Sequence, residues 1–382
     1  MLPRDPTEEH RAATPLELFF DLVFVIAVSQ AAAQLHHALS EGHVLDGITS
    51  YAMVFFAVWW AWMNFTWFAT SFDTDDWLFR VLTIVQMAGV LVVAAGIESA
   101  FVDEDLTVVV GGYVLMRVVM VAQWWRASLQ SPEHRRTTRT YAAGIGALQV
   151  LWVAMLFLPD SIIQVAGAVL ICAEIAVPIV AERKGNTPWH PHHVTERYGC
   201  FTLILLGESL LASANTIIGA HNAHQELLPL ITLGTAALVV TAALWWIYFW
   251  PPHHDAIGGM RQSFTYGYVH YLVFAAAGAF SAGVSVQTDL LADHSELSDV
   301  AASFTISIPV AVFVLCVWWI AIRRHGDRAV NTAVPLGALL VLFDPLIPMP
   351  ATLVAVVCVL IVVVLVRHPP LDRTDTAAHM GT

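Results

Sequence analysis

Charge is scarce in this chain of 382 residues: 12% are charged against 58% apolar, where soluble chains carry about 25% charged residues. Too few ionic groups exist to cover a water-facing shell, so apolar surface must itself form the exterior, as it does in a bilayer. Lysine is nearly missing, and the single one, Lys184, falls in a connector. That excludes a retinal pigment, whose Schiff base needs a lysine inside the bundle. The Lys and Arg residues form no basic stripe able to neutralise phosphates, so nucleic acid is not an expected partner. Cys172, Cys200, Cys316 and Cys358 lie inside apolar runs without CxxC or His-paired spacing. Packing or lipid contact is expected of them, not disulfides or metal ligation. No Walker loop, GxSxG elbow or HExxH pair occurs, which leaves ATP-driven transport and familiar hydrolase chemistry without support.

What is present is a series of long apolar runs between Pro15 and Val366, separated by FDTDD, FVDED, LPDS, PPHHD and DPLIPMP, which punctuate helices. Each hydrocarbon crossing needs about twenty apolar residues, because backbone N–H and C=O groups must be satisfied within the helix. The expected spans are 15–38, 47–69, 78–99, 106–126, 140–158, 161–181, 197–219, 228–250, 263–287, 300–322, 329–344 and 350–366. The polar stretch before the first run is acidic, with no basic n-region or small-residue cleavage site, so the first helix is expected to be retained.

Cytoplasmic loops keep positive charge during insertion. Of the 17 Lys and Arg residues, all but Arg117 fall at the termini or in the even-numbered loops. That asymmetry predicts twelve crossings with both termini in the cytoplasm.

Signals recur in the same order about 180 to 195 residues apart, as in a duplicated half. Glu17 parallels Glu196, Trp59-Trp60 parallels Trp245-Trp246, Arg80 parallels Arg261, and Trp124-Trp125 parallels Trp318-Trp319. The expected architecture is an all-α polytopic transmembrane bundle of about twelve helices in two related six-helix halves of parallel orientation. Its parts are a cytoplasmic N-terminal segment at 1–14, the first half at 15–181, a connector at 182–196, the second half at 197–366 and a cytoplasmic tail at 367–382. The tryptophans read first as an aromatic belt at headgroup level. Trp59, Trp60, Trp62 and Trp67 cover more than one helix face, so some could line a cavity.

The run from Thr14 to Val25, TPLELFFDLVFV, resembles the opening signature of the low temperature requirement protein A family of bacterial membrane proteins. Similar to its other hallmarks are the WWAWMNFTWF stretch at 59–68, then Asp73, Asp76 and Arg80, Glu196-Arg197-Tyr198-Gly199, and Leu206-Gly207-Glu208-Ser209. Cys200 departs from the apolar residue expected after Gly199. The resemblance implies an inner-membrane location and assigns neither substrate nor catalytic residue.

A charge at the bilayer centre costs about 2.5–3.5 kcal/mol, so each one present needs a partner, a proton or a wet cavity. Counting about 1.5 Å per residue from the loop ends places Arg117 and Glu208 near mid-depth, with Glu174 and His270 there or slightly toward the cytoplasm. Asp21, Asn64 and Gln86 fall in the inner half, Glu17 near the inner surface, and Glu98 and Asp344 toward the outside. Arg117 reads either as the partner of Glu208 or Glu174, or as an anion-binding arginine. Arginine keeps its proton, whereas a desolvated carboxylate can gain one. Glu208, beside Gly207, is accordingly the first candidate for a proton carrier, weighed against simple neutralisation by Arg117. Glu17 and Asp21, four residues apart, share a helix face and read as a cytoplasmic gate or ion site, or as a tie to Arg80 or Arg197. Asp73, Asp75 and Asp76 read as capping and local pairing with Arg80. The clusters His190, His192, His193, Glu196 and His253, His254, Asp255 lack metal-ligand spacing and are expected to be solvated loop groups, with metal binding or pH sensing as alternatives. His270 has no evident partner for haem. No cofactor or metal is expected.

The favoured reading is a secondary transporter of a small solute or ion through a central polar site. The alternatives are a membrane enzyme acting on a lipid head group, with the carboxylates, Arg117 and His270 as acid, base and anion clamp, or a non-transporting sensor or assembly protein. Expected partners are the lipid bilayer and a small-molecule or ion substrate. Nothing in the sequence sets the oligomeric state.

Overall fold

A computed structural model describes residues 1–371 apart from 6, 7, 9–11, 224–226 and 348. Twelve helices run through it: α1 Pro15–Ser40, α2 Val44–Ser71, α3 Trp77–Val102, α4 Thr107–Gln130, α5 Arg135–Met155, α6 Asp160–Glu182, α7 Pro191–Ala223, α8 Leu227–Phe249, α9 Met260–Leu291, α10 Asp299–His325, α11 Arg328–Leu346 and α12 Thr352–Arg367. Among the described residues, nine are long and apolar enough to cross a membrane; α5 and α7, which open on charged or polar turns, and the 16-residue α12 are the others. Beyond helix there is only a two-residue antiparallel bridge of Leu2–Pro3 with Phe72–Asp73 among the described residues. The chain is therefore an all-α polytopic helix bundle, as its apolar runs require.

Two compact units form, one from Met1–Gln30 with Met53–Cys200, the other from Ala31–Ala52 with Phe201–Thr382. Helices α1, α2 and α7 contribute residues to both. In the first unit α3, α4, α5 and α6 pack as successive neighbours. The α3–α4 contact depends on glycine, because a Cβ at Gly112 would sit 2.6 Å from the Val93 amide nitrogen and 2.8 Å from the Gly89 carbonyl oxygen. Small residues of this kind let membrane helices approach closely. In the second unit α9 packs on α10, and α8 on α9 and α12.

Three local departures from regular helix matter below. α10 carries a π-helical turn at Trp318–Ile322. α11 closes in a 3-10 segment, Val341–Leu346. Ala351, before α12, is left-handed at φ 57°, and the buried Asp344 carboxylate accepts from Ser303 at 2.7 Å and from the Ala351 and Val354 amides at 3.3 and 3.2 Å. Those amides open α12 and have no partner within the helix.

The tryptophans of α2 correct the belt expectation. Trp59, Trp60 and Trp62 are fully buried and Trp67 nearly so, because α2 turns several faces inward within its unit. Trp125, Trp245, Trp246 and Trp319 are exposed instead.

Candidate functional site

Among the described residues, two buried centres of the first unit hold an arginine against carboxylates. The first begins at the entry to α1. Thr14 and Glu17 form a reciprocal capping box, the Thr14 amide donating to Glu17 Oε2 at 2.7 Å and the Glu17 amide to Thr14 Oγ1 at 3.3 Å, the T-x-x-E device that satisfies orphan amides. One turn on, Asp21 faces the same way. Opposite them α7 presents His193 and Arg197, also four residues apart, so a carboxylate pair meets a cationic pair. Arg197 donates from Nε and Nη2 to Asp21 at 2.9 and 2.6 Å, a bidentate fork. Trp62 Nε1 adds a third bond to Asp21 at 2.6 Å. Arg197 Nη1 lies 3.4 Å and His193 Nε2 3.2 Å from Glu17 Oε1. All four side chains are buried, and the Arg197 guanidinium also sits over Phe65.

The second centre is Glu174 on α6. Arg117 Nη2 donates to it at 2.8 Å, Trp60 Nε1 at 3.0 Å, Gln149 Nε2 at 3.1 Å and Trp152 Nε1 at 3.3 Å. Four donors saturate one carboxylate, and Arg117 packs over the Tyr113 ring. Of the two carboxylates weighed for Arg117, Glu174 holds it. Glu208 belongs to the other unit, where it is half-exposed, and a Cβ at Gly207 would meet no atom within 4 Å.

The remaining candidates fall elsewhere. Asn64 is buried and donates to the Trp60 carbonyl at 2.8 Å, a bond within α2. Gln86 is buried on α3. Asp76 caps α3 through the Phe79 amide at 2.9 Å and pairs with Arg126, which together hold its carboxyl down at about 2. Arg80 pairs bidentately with Asp75, at 2.7 Å for each bond, on the surface. The Asp73 side chain lies outside the described residues. Gly199 is buried on α7, and Glu196, one residue before Arg197, is exposed and accepts from the Ala13 amide at 3.1 Å.

Histidine is where the sequence reading needs correction. His190 and His193 are buried, not solvated, and only His192 is exposed. His253 is buried too, within a closed ring in the second unit. Tyr248 hydroxyl lies 2.9 Å from His270 Nε2, His270 Nδ1 2.8 Å from the Tyr266 carbonyl, Tyr266 hydroxyl 2.9 Å from His253 Nδ1, and His253 Nε2 2.6 Å from the Tyr248 carbonyl. Each ring nitrogen facing a carbonyl must donate, which leaves the other nitrogen of a neutral imidazole to accept from a tyrosine hydroxyl. Burial, offset in part by the Tyr248 carbonyl, drives the His253 imidazole down to about 4. Among the described residues no group of His, Cys, Asp and Glu has the geometry of a metal site.

Apolar helices that bury ion pairs laterally in a bundle define a polytopic membrane protein. The chain belongs to the bacterial low temperature requirement A protein family, which it matches over residues 12–367. It is similar to the uncharacterized protein RA0937 of Rhizobium meliloti (strain 1021), with 27% identity over 305 residues, covering 72% of this chain and 71% of the relative.

Proposed function

We propose that the protein is a secondary transporter of a small solute or ion, coupled to protons through Glu17, Asp21, His193 and Arg197. The observation that carries this reading is a charge count. Among the described residues, two buried carboxylates meet one permanent cation, Arg197, and one titratable group, His193. A proton taken up by His193 or by a carboxyl group offsets charge within this set, where burial makes charge costly. The Glu174 centre lacks this property: one carboxylate, one arginine and three neutral donors close it, and its role is to hold α2, α4, α5 and α6 together. The sequence repeat supports transport because alternating access uses related halves, and the arginine distribution supports cytoplasmic termini.

Reconstitution into liposomes with an internal pH dye, against a panel of ions and small metabolites, tests the reading. Solute-dependent proton movement is expected of the native chain, and its loss is expected in His193→Gln and Glu17→Gln. A proton flux that both variants leave intact, or no flux with any solute, removes the proposal.

A further inference from the structure

A second polar site lies away from these centres, at the end of the second unit where α8 leaves and α9 begins. A cavity of about 360 Å³ there is lined by Arg261, Gln262 and Thr265 of α9 and by Trp319, Arg323 and Arg324 of α10, among others, and none of its lining residues is acidic. Three arginines on two helices thus point into one space without a carboxylate to balance them. A bound anion would relieve their mutual repulsion, and guanidinium groups fit phosphate oxygens bidentately.

Two of the arginines are held, not loose. Arg324 Nη1 donates to the Ala256 carbonyl at 2.9 Å, and the Arg323 guanidinium lies 3.8 Å over the Trp319 ring. The π-turn Trp318–Ile322 immediately precedes Arg323. Its extra residue re-aims the helix end, which is how such turns commonly serve binding sites. Gln262 Oε1 accepts from the Gly258 amide at 2.7 Å, which turns its Nε2 toward use as a further donor.

Depth identifies the ligand's surroundings. Trp319 is 47% exposed, and Trp245 and Trp246, near the end of α8 that leads into this loop, are 44% and 43% exposed. Exposed tryptophans mark the headgroup level of a bilayer, and basic pockets between helices at that level take lipid phosphates. We infer that this cavity binds a phosphate group, as the phosphodiester of an anionic phospholipid or as free phosphate.

Full-length protein in nanodiscs of pure phosphatidylcholine, or of phosphatidylcholine with one-fifth phosphatidylglycerol, distinguishes the sources. Native mass spectrometry reads the lipid retained, and thermal unfolding is followed with and without inorganic phosphate. The native chain is expected to retain phosphatidylglycerol about tenfold over phosphatidylcholine. Arg261→Gln with Arg323→Gln should abolish that preference, while Arg328→Gln with Arg367→Gln, which removes equal charge at exposed positions outside the cavity, should keep it. If phosphate alone raises the unfolding temperature and displaces phosphatidylglycerol, the free anion is the ligand; if it does neither, the lipid is. Should the double variant not fold, Arg261→Glu alone, exposed and outside the helix core, is expected to give the same loss. Equal loss in both arginine pairs, or no preference in the native chain without a phosphate shift, overturns the site.

Discussion

Arg117 and Glu174 show how a residue pair can be both costly and indispensable. Each is completely buried, so removing one partner leaves an uncompensated charge, worth about 3–5 kcal/mol, whereas replacing both with apolar residues can be nearly neutral. Arg117→Met is therefore expected to lower thermal stability sharply in detergent, and Glu174→Leu in the same chain to restore part of it, the remainder being the acceptor lost to Trp60, Gln149 and Trp152. No recovery in the double variant would mean that the pair does more than close its own charge. Much at this scale was legible. An arginine at mid-membrane demands a carboxylate, and two were within reach of reasoning; choosing between them needed coordinates, because Glu174 is preferred through Trp60, Gln149 and Trp152 on two other helices. The T-x-x-E box at Thr14 was also readable, since a threonine three residues before a glutamate at a helix start is a capping signature. The histidines were not legible, since a loop of HPHHV reads as solvated and only packing within the unit buries His193.

Among the helices, glycine and histidine carry the sharpest expectations. Gly112→Leu should disrupt α3–α4 packing by about 1–3 kcal/mol, the usual cost of overpacking, since its new atoms meet backbone rather than a movable side chain. Its neighbour Gly111 faces open space, and Gly111→Ala should be neutral or stabilising by about 0.5–1 kcal/mol; paired unfolding curves separate the two. The Tyr248–His270–Tyr266–His253 ring ties α8, its following loop and α9. The folded site keeps His253 neutral down to about pH 4, while an unfolded imidazole protonates near 6.5. The unfolded chain binds the extra proton in between, so the ring's stabilisation is complete above pH 6.5 and is lost as pH falls toward 4. His254 Nε2 and His325 Nε2 lie 3.4 and 3.8 Å from the Asp255 carboxylate beside this loop. Hydrogen-exchange protection at residues 253–266, taken relative to the intrinsic rate at each pH, should fall over that window, and His253→Phe should flatten the change. Helix count was readable from apolar runs because backbone satisfaction in lipid permits little else. The π-turn of α10 and the 3-10 end of α11 were not, as neither leaves a periodicity to read.

For the whole molecule, the arginine distribution makes a topological prediction. In a chain freed of native cysteines, His43→Cys and His294→Cys should react with a membrane-impermeant thiol reagent applied outside intact cells, and Glu133→Cys and Lys184→Cys only after permeabilisation. All four positions are exposed, so the reverse pattern would invert the proposed orientation. The last helix, which the arginine distribution expects to cross, is short for a crossing. At 16 residues, α12 spans about 24 Å, some 6 Å less than a typical hydrocarbon layer. Such a deficit is met by pinching the surrounding lipid, at a fraction of a kcal/mol per ångström. In a crossing of that length, a layer that deepens would raise the cost carried by this one helix, whose first turn the Asp344 carboxylate holds in place through the Ala351 and Val354 amides.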